Sequence, residues 1–334
     1  MTVETNPELA ANEIQFLTPM EDELWIGTLS DLTRYRDGGF AAATEMTEEK
    51  RRNPDTDEWE IQQTPAKADR QICDIIRKTD GTYLVGTASG LFNMRKLMLG
   101  EVALKDNTVA PILAFDEETL WALAENGDDG TVYENSTGEW KTVDKFADKA
   151  VTNLIRTRDG TFWILVDGNG AYEVNPSKGI EHAEHHLAGL NIRSLLLDSR
   201  GRVWCGLWGR GVAMRQKDGT WTEHLEYEKS AVLNLSEAGD GSIWAGTSSS
   251  GVYRYDGEEW SNHLPDDGAV SLLYTDSNGR LWLSTQRRGG LRYWDDGQWQ
   301  TSLDNRLPMT CMIEHEGALW AGGVLDGIHI KPLD

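Results

Sequence analysis

The chain has 334 residues, 39% of them hydrophobic with 14 Trp and three Cys, and its 55 acidic residues against 32 basic ones give a formal net charge of −23. A surface this acidic repels phosphate backbones and anionic headgroups, so neither nucleic acid nor membrane is an expected partner. The amino terminus has no basic start and no apolar run long enough for a secretory signal or a membrane span, which reads as a cytoplasmic protein.

An alternating apolar strand, a tight turn and a second strand opening on an aromatic residue recur along the sequence. The aromatic falls at Trp25, Tyr83, Trp121, Trp163, Trp204, Trp244, Trp282 and Trp320, and after a first interval of 58 residues the spacings are 38, 42, 41, 40, 38 and 38. A period near 40 with four short strands per unit is the pattern of a β-propeller. The expected fold is therefore all-β: one propeller over residues 1–334 with eight four-stranded blades. Seven blades and a divergent first segment is the alternative.

The first strand is expected at 13–17. Blade one holds Trp25 and then leaves the period, because 37–68 is a charged stretch with Pro54 and Pro65 that reads as a loop insertion, Trp59 resuming the outer strand. Blade two starts at Gln71, turns at Asp80-Gly81 and enters its third strand at Gly90-Leu91-Phe92. Blades three (109–143) and four (151–186) keep the frame, and those around Trp204, Trp244 and Trp282 are the most regular. A second Trp follows the first by 16 to 19 residues at Trp140, Trp221, Trp260 and Trp299. These are assigned to outer strands, capping the wedge between blades. The last unit is one strand short, and residues 2–5 are expected to supply it and close the ring, since closure removes exposed edges; a three-stranded last blade is the competing reading. Cys73, Cys205 and Cys311, odd in number and in apolar strand contexts, read as reduced thiols and not as a disulfide or zinc framework.

Two stretches, 240–255 (DGSIWAGTSSSGVYRY) and 277–293 (SNGRLWLSTQRRGGLRY), resemble the two-component regulator propeller repeat, and traces of it cover nearly the whole chain. The resemblance implies a ligand-binding sensor propeller of a kind often found outside the cytoplasm on membrane-bound regulators. No kinase, receiver, DNA-binding or membrane segment accompanies the array here.

In a propeller, the loops from second to third strands share one face with the blade-to-blade crossings. Two of these loops carry positive charge on an otherwise acidic chain: Trp208-Gly209-Arg210, and Gln286 with Arg287 and Arg288. Arg193, early in the inner strand of blade five, is expected near the same opening. Arginine forks bind carboxylates and phosphates, and an adjacent indole stacks on a sugar or an aromatic group. The first functional reading is thus a non-catalytic recognition propeller that binds a small-molecule, anionic or carbohydrate-like ligand, or a protein or peptide, at the mouth of the central channel. In the plainer reading these arginines pair with neighbouring acids.

Asp128 and Asp129, beside Asn126, and Asp167 with Asn169 offer oxygen ligands, but neither run fits the spaced EF-hand loop. No cofactor is predicted, and Ca2+ is kept only as an alternative. In the histidine run 181–186, a strand would place His182, Glu184 and His186 on one face. No phosphate-binding loop, dinucleotide fingerprint or nucleophile elbow is present. A carbohydrate- or lactone-active propeller enzyme with a divalent cation, and a pure assembly scaffold, remain the other readings.

Overall fold

The computed structural model describes residues 13–333, apart from 30–31, 43–45, 53–58, 66–70, 96–97, 116–117, 127–128, 137, 226–228, 265–267, 305 and 325–326. Its strands form consecutive antiparallel meanders, seven four-stranded sheets, one three-stranded sheet and a separate two-stranded hairpin. Blade one comprises Ile14–Met20, Glu23–Thr28, Leu32–Arg36 and Gly39–Ala42. Blade two comprises Ile72–Arg77, Tyr83–Thr87, Gly90–Arg95 and Met98–Ala103. Blade three follows with Thr108–Ala114, Leu120–Asn126, Asp129–Asn135 and Lys141–Thr142, and blade four with Val151–Arg156, Phe162–Val166, Ala171–Val174 and Glu184–His186. Blade five runs through Ile192–Leu197, Val203–Leu207, Val212–Arg215 and Trp221–His224. Blade six has Val232–Glu237, Ile243–Thr247, Val252–Tyr255 and Trp260–Asn262, and blade seven Val270–Thr275, Leu281–Thr285, Leu291–Asp295 and Gln298–Leu303. Blade eight shows Met309–His315, Ala318–Gly323 and Ile328–Pro332. The fold is the eight-bladed propeller expected from the period.

The outer strand of blade one is Gly39–Ala42, not a strand resumed at Trp59. Asp37 and Gly38 both take positive φ, 51° and 78°, the two-residue turn whose twist matches an antiparallel hairpin, so the fourth strand follows the third at once. The excursion beyond it is a hairpin of Met46–Arg52 and Trp59–Pro65, with Trp59 opening its second strand. The strand expected from residues 2–5 lies outside the described residues.

Second strands such as Val203–Leu207 are buried along their whole length, as expected of apolar runs covered on both faces. The core lies between blades, not within them. Trp204 of blade five packs with Val232, Ile243, Ala245 and Tyr255 of blade six, and each neighbouring pair repeats the arrangement. The ring closes where Trp320 and Ile328 of blade eight meet Ile14, Leu24 and Ile26 of blade one, and Thr310 Oγ1 donates to Ile14 O at 2.6 Å.

Several of these indoles are covered by the third strand of the next blade, while Trp25 and Trp121 meet Tyr83 and Phe162 of the next blade's second strand. Tyr255 lies 5.5 Å from Trp204, Trp294 4.9 Å from Trp244 and Tyr35 4.6 Å from Trp320, between ring centroids. Cations take the same place at two wedges, Arg215 at 5.2 Å from Trp163 and Lys331 at 4.8 Å from Trp282. The outer-strand tryptophans do cap these wedges: Trp260 sits 6.1 Å from Trp204, Trp299 5.5 Å from Trp244, and Trp221 packs against the cluster of Trp163. The indole N–H groups of Trp204 and Trp282 each donate at 2.8 Å to a buried aspartate in the preceding turn, Asp198 and Asp276.

Asp74 joins blades two and three. Its carboxylate accepts from Ile112 N at 2.6 Å and Ile75 N at 2.8 Å. Burial raises its pKa from an ordinary value of about 3.9 to about 6, outweighing the two amide bonds that favour the anion. The thiols are free, and burial raises that of Cys311 to about 11.

Trp204→Ala is expected to cost about 3–5 kcal/mol in denaturant unfolding, because it opens the wedge and strands Asp198, whereas exposed Trp208→Ala stays within about 0.5 kcal/mol. For Asp74, the raised folded-state pKa means the fold favours the protonated acid, so its contribution to stability declines as pH rises from about 4 to about 6. Unfolding free energies of Asp74→Asn and wild type should therefore diverge in the variant's favour by on the order of 3 kcal/mol between pH 4 and 7. A difference that does not vary with pH counts against this account.

Candidate functional site

In every blade the pairing of inner and second strands slips near the start of the inner strand. The slips lie between Ile14 and Phe16, Ile72 and Asp74, Val109 and Ile112, and Val151 and Asn153 in blades one to four. In blades five to eight they lie between Ile192 and Ser194, Val232 and Asn234, Val270 and Leu272, and Met309 and Cys311. A bulge leaves one extra residue outside the ladder and re-aims its side chain. Because Ile192 pairs with Leu207, this end of the inner strand meets the loop that follows the second strand. Inner strands of neighbouring blades also approach one another around the axis. The bulges thus form a ring at the mouth of the channel on the second-to-third loop face. Sequence reading finds only Arg193 of this ring. The available signal is an apolar residue and a following variable one at the head of each inner strand, as in Ile192-Arg193 and Val232-Leu233.

Arg193 and Leu233, in adjacent blades, are exposed members of the ring. Trp208 stands beside them in the loop after the second strand of blade five. Its N–H donates to Asn191 O at 2.9 Å, and it bridges Ala231 at the entry to blade six. Gly211 closes this loop at φ 72°, where a Cβ would lie 2.2 Å from Leu225 O, so only glycine lets the crossing strand pass. The indole is left 57% exposed, and Arg193 Cζ lies 4.6 Å from its ring centroid.

The structure thus brings Arg193 and Trp208 together as a stacked pair. Arg210 is turned to the outer strand, where its Nη2 donates to both carboxylate oxygens of Glu223, at 2.9 and 3.2 Å. Arg287 and Arg288 are exposed in the corresponding loop of blade seven, two blades away, with contacts of their own. Of the oxygen-ligand candidates, Asp128 and the side chain of Asp129 lie outside the described residues. Asp167 is exposed, its N–H donating to Ala150 O, while Asn169 is tied to its own blade, with His185 Nε2 lying 2.7 Å from its carbonyl oxygen.

Among the described residues, Glu173, Glu184 and His186 form the one group of His, Cys, Asp or Glu donors close enough to share a metal ion, all within 4.8 Å. His182 falls in a short 3-10 turn, Ile180–His182, so it does not share the strand face expected for it. His186 Nε2 lies 3.0 Å from Glu173 Oε2, and Arg215 forks onto the same carboxylate while lying over Trp163 and Trp221, at 5.2 and 5.8 Å. Burial by itself raises the Glu173 pKa, but the hydrogen bonds from His186 and Arg215 outweigh it and hold the group down at about 2. Arg215 therefore supplies the positive charge that a metal would bring. His186 stacks on the Trp of its own blade at 5.5 Å, as His224 and His263 do at 5.9 and 5.3 Å, so the cluster reads as a polar brace between blades four and five. A cleft of about 350 Å³ lies beside it, lined by Glu173, Glu184, Arg215 and Lys217 among others. Among the described residues no helix is long and apolar enough to cross a membrane.

Residues 263–287 match the family profile described as Two component regulator propeller. No curated protein matches the sequence. Among solved structures, the chain is similar to the computationally designed Ika8 protein at 13% identity, with a TM-score of 0.64 and 97% of each chain covered. It is also similar to the extracellular domain of the hybrid two component system BT4673 from B. thetaiotaomicron, at 15% identity and a TM-score of 0.55. That match covers 96% of this chain and 51% of the other, so the chain spans about half the length of that domain. YCF48 bound to D1 peptide matches at 14% identity and a TM-score of 0.54, over 100% of this chain and 96% of that one. These likenesses carry the fold, and the segment 263–287 matches the two-component regulator propeller repeat.

Proposed function

We propose that this propeller is a non-catalytic recognition module that engages a ligand or a peptide at the mouth of its central channel, with Arg193 and Trp208 as the contact. The observation that carries this reading is the Arg193–Trp208 stack. A guanidinium lies on an indole that the fold leaves 57% exposed, and among the described residues its N–H groups have no hydrogen-bonded or ionic partner. Large exposed aromatics and unengaged arginines are what binding surfaces are enriched in. Paired backbone flanks both side chains: Ile192 and Ser194 are in the ladder on either side of Arg193, and Trp208 bridges Ala231. The extracellular domain of a two component system and the peptide-bound propeller among the similar structures support a binding role on this fold, though fold alone assigns no function. No cofactor enters this reading.

The test is the thermal unfolding midpoint against uronates, organic acids, oligosaccharides and short peptides. A ligand at about a hundred times its Kd adds roughly 2.7 kcal/mol. Any compound that raises the midpoint of the wild type is expected to lose its effect on the Arg193→Ala, Trp208→Ala double variant and to keep it on Arg210→Ala. A shift that survives in the double variant places recognition elsewhere and refutes the proposal.

A further inference from the structure

We infer that the mouth takes a carboxylate joined to an apolar group, the carboxylate on Arg193 and the apolar part on Trp208 and Leu233. This rests on the reading above and narrows it to a chemical class.

The first argument is the orientation of charge. A guanidinium that covers an aromatic face uses its π surface there and keeps its in-plane N–H edge for a planar bidentate acceptor. Arg193 lies 4.6 Å from the Trp208 centroid and makes no hydrogen bond or ion pair among the described residues. Arg210, the arginine of the Trp208 loop, already donates from Nη2 to both oxygens of Glu223. The planar edge of a single guanidinium matches the two oxygens of a carboxylate.

The second argument is the apolar surface. Among the described residues the exposed large hydrophobics are Leu29, Trp208 and Leu233, and two of these three lie in adjacent blades here. Trp208 bridges Ala231, and Leu233 follows two residues on, in the bulge of the next blade. A half-exposed indole against a cation, with a 37% exposed leucine at the bulge of the next blade, offers an amphipathic surface.

The third argument concerns the hydroxyl groups nearby, which a polyhydroxylated sugar would need. Ser248 Oγ accepts from Ala231 N at 3.0 Å, and Ser230 Oγ lies 3.3 Å from Ser250 Oγ. The loop uses them for its own closure. Among the described residues, the Arg193 edge and the indole N–H of Trp208 have no hydrogen-bonded partner and suit one acid group on an apolar body. Such a group has two sources, a free aromatic acid or the C-terminus of a peptide ending in an apolar residue.

The experiment measures binding by calorimetry of indole-3-acetate against indole-3-acetamide, and of an N-acetylated tripeptide ending in Phe against its C-terminal amide. The wild type, Arg193→Gln, Arg210→Gln and Trp208→Ala are compared; all three positions of exchange lie on exposed loop or bulge sites, and the thermal midpoint confirms folding. In the wild type at least one acid is expected to bind about tenfold or more tighter than its amide. Arg193→Gln should bring acid and amide level, while Arg210→Gln preserves the preference. Tighter binding of the peptide acid identifies a chain terminus as the source, and tighter binding of indole-3-acetate a free acid. Equal binding of acid and amide to the wild type, a preference that persists in Arg193→Gln, or no binding of either acid overturns the carboxylate assignment. If acid and amide bind alike and both are lost in Trp208→Ala, recognition at the mouth stands and only the carboxylate falls. Binding unaffected by Trp208→Ala removes both.

Discussion

The aromatic residue at the head of each second strand is the contact on which this propeller depends. Six of the Trp side chains are among the largest fully buried groups in the protein, each pressed between its own blade and the next. A Trp buries roughly 150–250 Å², so one residue per repeat supplies much of the apolar contact between sheets. Because the contact is always made to a neighbour, no blade is complete alone. The ring form follows: closure of blade eight on blade one gives Trp320 the same partners, Tyr35 and Phe40, that an interior wedge enjoys.

Where the covering residue is not aromatic, the wedge is sealed by charge. Arg215 and Lys331 lie over Trp163 and Trp282, and each is tied down by a polar partner, Glu173 and Ser302 respectively. A charge in such a place is tolerated only when paired, because desolvation disfavours a lone ion far more than a neutral group. This explains why the Glu173–His186–Arg215 cluster has the composition of a metal site but the connections of a brace. Asp198 and Asp276 serve the same economy in the turns, each accepting the indole N–H that its wedge would otherwise leave buried and unmet.

The scaffold repeats and the mouth does not. All eight inner strands bulge at the same place, yet the residue displayed there runs from Cys73 to Thr152, Arg193 and Leu233. Backbone geometry is held constant by bulge and glycine loop, so the ring can vary in side chain without cost to packing. Arg193 meets an exposed Trp208 at only one point of the ring. Function on this fold is therefore carried by local departures from the repeat, while the repeat itself carries stability.

The sequence by itself determined the class of fold, the blade count and the placing of the outer tryptophans, because a spacing near 40 and one aromatic per unit are local features that survive in a linear reading. It also marked Arg193 and Trp208 as candidates through their charge and size against an acidic background. It misplaced the outer strand of blade one, since the Asp37-Gly38 turn is written in two residues while Trp59 mimics a pattern that other blades obey. Only the tertiary structure decided that Arg210 is spent on Glu223, that Arg193 lies on Trp208, and that His186 is bound to Glu173 and Arg215. Those outcomes depend on side-chain direction across separate strands and blades. Arg193 and Trp208 are fifteen residues apart in the chain, one in an inner strand and the other in the loop after the second strand, and Arg215 reaches Glu173 from the next blade, a separation of 42 residues. No pattern of period two or period forty specifies which such neighbours meet.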